Sequence, residues 1–244
     1  MIWRALLIWC AMCGTAMAAT CEDVRYEGNS FTACTVDMRN EQLRLFLNDD
    51  TGVPFNHFTN INTALAQNGQ VLGFAMNGGM YHEDRSPVGH YIEDGVEQMR
   101  VIPNAGPGNF GLLPNGVLCV RDQQADVIET RRYLREEPEC IYATQSGPML
   151  VIDGALHPKF LADGTSRYIR NGVGTSTDGK TAVFVISNNA VNFHSFASFF
   201  RDHLGLDQAL FFDGNVSRLH APDLGRSDFG RRLGPIIGTV EPLQ

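Results

Sequence analysis

The chain has 244 residues, of which 43% are apolar, 25 are glycine and 11 are proline, a composition typical of one globular domain with many turns. Its formal net charge of −8 argues against nucleic acid as a partner, whereas a local basic pocket for an anionic substrate stays compatible with it. After residue 18 no apolar stretch reaches the roughly 20 residues that cross a bilayer, so we expect no stable membrane span.

The first 18 residues have the pattern of a signal peptide. Arg4 supplies the positive charge, an apolar run follows over 5–12, and Ala16-Met17-Ala18 fits an Ala-x-Ala cleavage site. A membrane anchor is the alternative, but the apolar run is short for one. Cleavage leaves 18 basic and 27 acidic residues, a net charge of −9. We therefore expect a periplasmic or secreted bacterial protein that begins near Ala19.

Cysteine content indicates disulfide bonds. Two of the six cysteines fall in the signal peptide, and four remain, at Cys21, Cys34, Cys119 and Cys140. An even number in an exported protein favours disulfides, and three pairings are possible. We favour Cys21–Cys34 and Cys119–Cys140 because each closes a local loop. A zinc site or a thiol nucleophile is the alternative, and no Cys-x-x-Cys spacing among these four supports it.

The first half of the chain predicts strands, hairpins and one helix. Alternating leucines predict a half-buried strand over 42–47. A helix over 61–68, capped by Thr59 or Asn60 and stopped by Gly69, leads into an apolar strand over 71–76. Along the whole chain, four dipeptides between apolar runs predict hairpin turns: Asp94-Gly95, Asn115-Gly116, Asp153-Gly154 and Asp178-Gly179.

The second half adds a second helix and completes the expected fold. The charged stretch 129–139 predicts a solvated loop, and 191–204 predicts a helix capped by Asn192. Strands over 209–212 and 216–220 follow, and the tail from Ala221 predicts an irregular wrap. These elements favour an α+β fold, a mixed, hairpin-rich β-sheet with a few helices packed on it, in a single domain over 19–244.

Two apolar strands end in a polar residue followed by glycine. Asn77-Gly78-Gly79 follows the first, and Asp213-Gly214 follows the second. Each pair fits a simple turn, and each also fits a ligand-facing strand end where glycine permits close approach. A carboxylate that follows Leu-Phe-Phe is poorly placed in solvent, and it suits a nucleophile, a base or a metal ligand.

Two further segments carry candidate binding groups. Ser146 lacks the Gly-x-Ser-x-Gly context of a hydrolase nucleophile, so Ser146 and Gly147 suit the binding of an anion or a sugar better. Arg170 precedes a glycine-rich strand and is either a surface charge or a bidentate contact for phosphate or carboxylate. The seven histidines lack metal-ligand spacing, so no cofactor is identified and a divalent cation stays possible.

Five blocks of sequence, in this order, resemble the phosphodiester glycosidase family, to which the catalytic domain of the lysosomal uncovering enzyme belongs. The resemblance covers roughly 70–220 and is greatest to a short exported bacterial branch. The blocks are Asn77-Gly78-Gly79-Met80-Tyr81, Pro87-Val88-Gly89 with Ile92-Glu93-Asp94-Gly95, Ser146 to Gly154, Arg170-Asn171-Gly172-Val173-Gly174, and Asp213-Gly214.

The resemblance implies hydrolysis of a sugar-1-phosphodiester between the anomeric carbon and the phosphate oxygen. Asp213 is then the catalytic carboxylate, Arg170 contacts the phosphate, and Asn77 completes the catalytic set. Substrate-binding positions carried over from the blocks are Gly78, Gly79, Tyr81, Ser146, Gly147, Gly214 and Ser217. The expected substrate is a small-molecule or cell-envelope glycan phosphodiester.

One block departs from the family pattern. The family commonly has Asp-Gly-Gly-Gly-Ser-Ser where this chain has Asp213-Gly214-Asn215-Val216-Ser217-Arg218. This departure motivates an alternative function, a non-catalytic periplasmic module that binds phosphosugars or glycans. A structural envelope protein with disulfide-pinned hairpins is the third candidate.

Overall fold

A computed structural model describes residues 19–243. The signal peptide expected over 1–18 lies outside the described residues. Within them the helices are α1 (Phe58–Ala66), α2 (Thr130–Glu136) and α3 (Phe193–Ser198), and a π-helical turn at Phe199–His203 continues α3. The strands are β1 (Thr20–Tyr26), β2 (Asn29–Asp37), β3 (Gln42–Phe46), β4 (Gln70–Asn77), β5 (Tyr91–Glu93), β6 (Val96–Met99), β7 (Gly116–Arg121), β8 (Gln124–Glu129), β9 (Tyr142–Ser146), β10 (Met149–Ile152), β11 (Ala155–Leu156), β12 (Asn171–Thr175), β13 (Thr181–Ser187), β14 (Gln208–Phe211), β15 (Leu219–Ala221), β16 (Arg226–Ser227) and β17 (Ile236–Pro242).

These strands form three sheets, and the pairs between them are antiparallel. Their orders are β1-β2-β13-β12-β14-β10-β11, β16-β15-β4-β17-β3 and β6-β5-β9-β7-β8. The hairpin-rich prediction is confirmed, but a single mixed sheet is wrong. Short turns join the hairpin pairs such as β1 and β2, and the other antiparallel pairs, such as β4 with β17, join segments that are far apart in the chain. A parallel pair would need a long crossover, and none occurs among the strand pairs of residues 19–243.

The three sheets share one apolar core. Phe184 of the first sheet, Phe74 of the second and Leu118 of the third belong to the same buried cluster. The rings of Phe74 and Phe184 lie 4.9 Å apart. Burial of each such side chain contributes roughly 1.5–3 kcal/mol, so this core holds the sheets together and fixes where their strand ends meet.

One helix packs on the outer face of each sheet. Ile61 of α1 joins the cluster on the second sheet, Tyr133 of α2 joins that on the third, and Phe196 of α3 joins that on the first. The Asn192 cap is confirmed, because its Oδ1 accepts a 2.8 Å hydrogen bond from the Ser195 amide. The cap predicted for α1 is wrong, because the helix already begins at Phe58, after His57.

Three of the four predicted hairpins are confirmed, at Asp94-Gly95, Asp153-Gly154 and Asp178-Gly179. The hairpin at Asn115-Gly116 is wrong. The Asn115 amide is buried and donates to the carbonyl of Phe110 over 3.1 Å, which holds the preceding segment as a loop. β7 therefore begins at Gly116 and pairs with β8 and β9.

Two regions predicted to be irregular are ordered. The charged stretch 129–139 forms α2, because the Glu129 carboxylate caps the Arg132 amide at 2.9 Å and Tyr133 is buried. The tail contains β17, which lies between β4 and β3 and buries its apolar side chains. The strand predicted over 216–220 starts only at Leu219, because the Ser217 hydroxyl donates to loop carbonyls.

Both favoured disulfides are present. Cys21 and Cys34 face each other across the β1–β2 pair, and Cys119 of β7 is bonded to Cys140, just before β9. Each bond links segments that already neighbour each other in one sheet. Across 19–243 we find no helix that has the length and apolarity to traverse a membrane.

Glu93 makes stability depend on pH. Burial raises the pKa of its carboxyl to about 7, and the Tyr91 hydroxyl, which donates to it over 2.8 Å, opposes that shift. A raised folded-state pKa gives stability that is present at low pH and lost as the pH rises through about 7. We expect Glu93→Gln to be more stable than the parent protein at pH 8, by about 2 kcal/mol after allowance for partial exposure, and to lose this advantage near pH 4. Urea unfolding at both pH values measures this difference in stability, and Glu139→Gln, which changes an exposed carboxylate, is the control. Equal stabilities of Glu93→Gln and the parent protein at pH 8 would contradict the prediction.

Candidate active site

Four strand ends from the three sheets meet at one place. Asn77 is the last residue of β4, Ser146 the last of β9 and Asn171 the first of β12, and Asp213 follows β14. The shared core sets this meeting point, because it fixes how the sheets pack. Polar groups that are up to 141 residues apart in sequence thus come within hydrogen-bond distance.

A reciprocal pair of amides links two of these ends. Asn77 Nδ2 donates to Asn171 Oδ1 over 3.3 Å, and Asn171 Nδ2 donates to Asn77 Oδ1 over 3.0 Å. Both side chains are fully buried, at 0% exposure. β4 pairs with β15 and β17, so Asn77-Gly78 is a strand end inside the protein and the hairpin alternative for it is wrong.

The amide pair holds the segment 213–218, which we call the site loop. Asn77 Nδ2 donates to the Asp213 carbonyl over 3.1 Å, and Asn77 Oδ1 accepts from the Arg218 amide over 2.9 Å. The buried Ser217 hydroxyl donates to Asn171 Oδ1 over 3.2 Å. Asn77 and Asn171 therefore contact the inner side of the site loop and fix its backbone, and Ser217 is the loop residue that bonds to Asn171.

A cleft of 340 Å³ opens beside the site loop. Its lining residues are Met80, Asn109, Ser166, Tyr168, Arg170, Phe211, Asp213, Gly214 and Asn215. Asp213 brings a carboxylate to this cleft, and Arg170 brings a guanidinium. Tyr168 is 54% exposed, so an aromatic ring is available at the wall of the cleft for the face of a sugar.

The Asp213 carboxylate is partly buried and pairs with no cation in the described part of the chain. Its Oδ1 accepts a hydrogen bond from the Asn215 amide over 3.0 Å. Burial raises the pKa of Asp213 above its usual range, and the Asn215 N–H group opposes the shift. Such an unpaired carboxyl group in a cleft is suited to proton transfer or to the stabilisation of a developing cation.

Arg170 forms the floor of the cleft and is only 1% exposed. Its guanidinium lies 3.6 Å from the centre of the Phe193 ring, and it donates to the carbonyls of Val191 and Ser166 over 2.9 and 3.0 Å. Burial lowers the pKa of Arg170 to about 10, so it stays cationic at neutral pH. No carboxylate among the described residues forms an ion pair with it, so its positive charge is available to an anion in the cleft.

The Gly78-Gly79 segment packs tightly against β9. The Thr144 hydroxyl donates to the Gly78 carbonyl over 2.7 Å. Gly79 has a φ of +156°, and a Cβ atom there would lie 2.6 Å from Thr144 Oγ1, so only glycine fits. The two glycines allow Met80 to reach the cleft wall and Tyr81 to pass beyond it.

Ser146 and Gly147 lie behind the cleft. The Ser146 hydroxyl is buried and donates to the Phe212 carbonyl over 2.9 Å, directly before Asp213. Gly147 packs against Asn115 and the Phe110 carbonyl. Ser146 thus supports the segment that leads from β14 to Asp213, and neither Ser146 nor Gly147 lines the cleft.

Tyr81 lies near both Asp213 and a group of arginines. Its hydroxyl donates to the Arg232 carbonyl over 2.9 Å. Burial raises the pKa of Tyr81, the Asp213 charge adds to the rise, and the charges of Arg85, Arg231 and Arg218 lower it. Tyr81 therefore experiences the field of both the carboxylate and these cations.

Asn171 has a role in the site that its sequence context did not reveal. It appeared only inside the block that begins at Arg170, yet its amide contacts Asn77, Ser217 and the Asp213 amide. A polar residue that opens a buried glycine-rich strand is the signal that could have identified it. Ser166 and Asn109 reach the cleft from loops that carried no recognisable motif.

A divalent cation has few protein ligands at this place. Between residues 19 and 243 the structure contains no cluster of three or more His, Cys, Asp or Glu side chains arranged for a metal. The cleft contains one carboxylate, that of Asp213, and the amide oxygens of Asn109 and Asn215 are nearby in its lining. Mg²⁺ commonly uses one or two carboxylates together with substrate phosphates, so these residues fit a cation that arrives with substrate.

Known sequences include relatives of this chain. The family model for phosphodiester glycosidases matches residues 60–222. YigE of Escherichia coli (strain K12), described as an uncharacterized protein, is 33% identical over 188 residues, which are 77% of this chain and 73% of YigE.

Solved structures with a similar fold include two that cover most of this chain. The catalytic domain of zebrafish N-acetylglucosamine-1-phosphodiester alpha-N-acetylglucosaminidase, auto-inhibited by its pro-peptide, has a TM-score of 0.61 and 14% identity over 90% of this chain and 81% of its own. A hypothetical protein from Synechocystis has a TM-score of 0.59 and 13% identity over 90% of this chain. This chain spans 61% of the Synechocystis chain. At these identities the two likenesses concern the fold alone.

Proposed function

The chain belongs to the phosphodiester glycosidase family, and from this we propose that it is an exported hydrolase that cleaves a sugar-1-phosphodiester. Water attacks the anomeric carbon, the bond from that carbon to the phosphate oxygen breaks, and the phosphate leaves as a monoester of the aglycone. Residues 19–244 act as one catalytic unit in the bacterial periplasm or outside the cell. The presence of two disulfide bonds supports an oxidising compartment.

One observation carries this proposal: a partly buried carboxylate and a buried guanidinium share a cleft, and neither forms an ion pair with any residue of 19–243. Asp213 stabilises the oxocarbenium-like transition state or activates the attacking water, as carboxylates do in glycosidases. A phosphate monoester is a good leaving group, so one carboxylate suffices without a strong general acid.

Arg170 attracts the phosphate into the cleft. Its charge acts through a poorly hydrated floor, where electrostatic attraction is stronger than in water. The Phe193 ring and two carbonyls hold the guanidinium in place, so little reorganisation is needed when the substrate binds. Asn77, Asn171 and Ser217 act as positioning residues through the site loop, and Tyr168 and Asn109 contact the sugar.

The altered site loop supports a second candidate, a module that binds phosphosugars or glycans without cleaving them. Where the family has glycine, Val216 is buried in the cluster beneath α1 and Asn215 is exposed at the cleft. The cleft is thus retained, but a side chain at 215 lies where the family pattern leaves room for the close approach of a ligand.

Release of sugar from N-acetylglucosamine-1-phosphodiester model compounds tests the proposal. The protein lacking residues 1–18 is incubated with methyl and glycerol phosphodiesters, with EDTA or with added Mg²⁺. Release of N-acetylglucosamine supports the hydrolase, and its loss in EDTA followed by recovery with Mg²⁺ identifies a metal requirement. Absence of release, with a higher melting temperature in the presence of these compounds, would instead support the binding module.

A further inference from the structure

Three arginines have charges that lower the pKa of Tyr81, a residue that is not among those lining the cleft of Asp213. We call Arg85, Arg218 and Arg231 the arginine rim. All three charges act on the Tyr81 hydroxyl, as does the Asp213 charge. The Arg85 guanidinium lies 5.4 Å from the centre of the Tyr81 ring. The arginine rim thus combines residues from the segment after β4, from the site loop and from the loop before β17.

No carboxylate among the described residues balances the arginine rim. Its members take part in none of the ion pairs found across 19–243. The Nε atoms of Arg85 and Arg218 are buried and have no hydrogen-bond partner. The whole chain carries 27 acidic and 19 basic residues. The arginine rim is therefore a positively charged cluster on a protein whose net charge is negative. Buried polar groups are normally hydrogen-bonded, so these unused donors favour a role for the arginine rim in anion binding.

Two members of the arginine rim line a second cavity, distinct from the cleft of Asp213. It has a volume of 110 Å³, and Arg218, Arg231, His57 and Phe229 are among its lining residues. None of the residues that line this cavity also lines the cleft. Its one carboxylate, Asp228, already pairs with Arg226 over 2.9 Å. Ligand pockets usually exceed about 300 Å³, so this cavity suits a single phosphate group better than a sugar.

Phe229 adds an apolar contact beside the second cavity, which suits a polyol or glycan chain. Its ring is 83% exposed and stacks on His57 with 5.3 Å between the ring centres. An exposed aromatic ring beside unpaired arginines offers apolar contact to the carbons of a polyol or sugar while the guanidinium groups bind its phosphate.

We propose that the arginine rim is a second phosphate subsite, which binds a phosphate on the aglycone side of the scissile bond. The substrate is then a glycan or polyol chain in which phosphodiesters recur. The identity of the cleaved bond is taken from the proposed function. The presence of a second phosphate is inferred from the two separate cavities. Arg170 faces the scissile phosphate, and the arginine rim holds the next one.

Three model substrates test this inference. Each carries N-acetylglucosamine-1-phosphate, esterified to methanol, to glycerol or to glycerol that bears a terminal phosphate. We expect the parent protein to prefer the phosphate-bearing aglycone over glycerol by about tenfold in kcat/KM, the size of one charge-assisted hydrogen bond. In Arg231→Gln the ratio falls towards one. Arg131→Gln, which changes an exposed arginine of α2 and has the same effect on charge, keeps the parent ratio.

Binding measurements separate this inference from the proposed function. Calorimetric titration of Asp213→Asn with the same compounds measures affinity without turnover. Cleavage with equal kcat/KM for the two glycerol compounds would overturn the second subsite and leave the hydrolase intact. If nothing is cleaved, a tenfold affinity ratio that Arg231→Gln abolishes still supports the subsite, whereas equal affinities overturn it. Binding of inorganic phosphate with no preference between aglycones also overturns it.

Discussion

Replacement of Asp213 by asparagine is expected to lower kcat/KM for a sugar-1-phosphodiester by about a thousandfold, within the range that general acid–base groups contribute. The new amide side chain keeps an oxygen that can accept from the Asn215 amide, so the site loop retains its main local hydrogen bond. The variant loses the negative charge that supports the developing oxocarbenium ion. The measurement is sugar release under kcat/KM conditions, together with the melting temperature.

Asp50→Asn is the matched control, because Asp50 is exposed in the loop after β3 and far along the chain from the cleft. It should leave both rate and melting temperature unchanged. If Asp213→Asn retained more than about a tenth of the parent kcat/KM, the carboxylate role would be wrong, since a catalytic carboxylate accounts for at least about a hundredfold.

The pH profile gives an independent reading of the same group. Burial raises the pKa of Asp213, and the ionised form is the active one in the proposed mechanism. Activity is therefore present above this raised pKa and falls as the pH drops through it, so the acid limb should lie above the usual aspartate range. An acid limb in the ordinary range would assign it to another group or to an unperturbed Asp213.

Local sequence patterns predicted the local parts of the fold. The hairpins at Asp94-Gly95, Asp153-Gly154 and Asp178-Gly179 depend on two turn residues and their flanking strands, and the Asn192 cap depends on one side chain. The division into three sheets depends on pairings such as β4 with β17, whose partners lie more than 150 residues apart. Nothing local in 236–242 distinguishes a central strand from an apolar tail.

Local sequence also identified residues of the candidate site but did not predict which of their side chains face the cleft. Strand-end motifs selected Asn77, Ser146 and Asp213, and the structure brings all three to one region. Which side chain faces the cleft depends on the alternation of each strand and on its register, and a shift of one residue reverses the face. Asn77 and Ser146 thus point inward, while Asp213 and Arg170 reach the cleft. The arginine rim was missed because its three members come from three different loops and share no motif.

Replacement of Asn171 by alanine is expected to destabilise the protein by about 3 kcal/mol, the cost of leaving two or so buried polar groups unsatisfied. The Asn77 carbonyl loses its donor, and the Asp213 amide loses its acceptor, at 3.0 and 3.4 Å from the Asn171 side chain. Urea unfolding measures the loss. Asn188→Ala is a matched control, because Asn188 also makes several side-chain hydrogen bonds but is exposed. It should cost less than about 1 kcal/mol, since water replaces the lost partners.

The same variant distinguishes a positioning role from a purely structural one. Asn171 contacts the Asp213 amide and Asn77 but does not line the cleft, so its removal lets the carboxylate shift while every cleft side chain remains. A displacement of about 1 Å at a reacting group costs on the order of a hundredfold in rate, which should appear in kcat more than in KM at a temperature where the variant is folded. If Asn171→Ala unfolds at a lower urea concentration but cleaves with the parent kcat, the amide pair contributes to stability only. A loss of kcat in the folded variant would show that this buried pair sets the position of Asp213, and would explain how a chain with an altered site loop keeps its carboxylate in place.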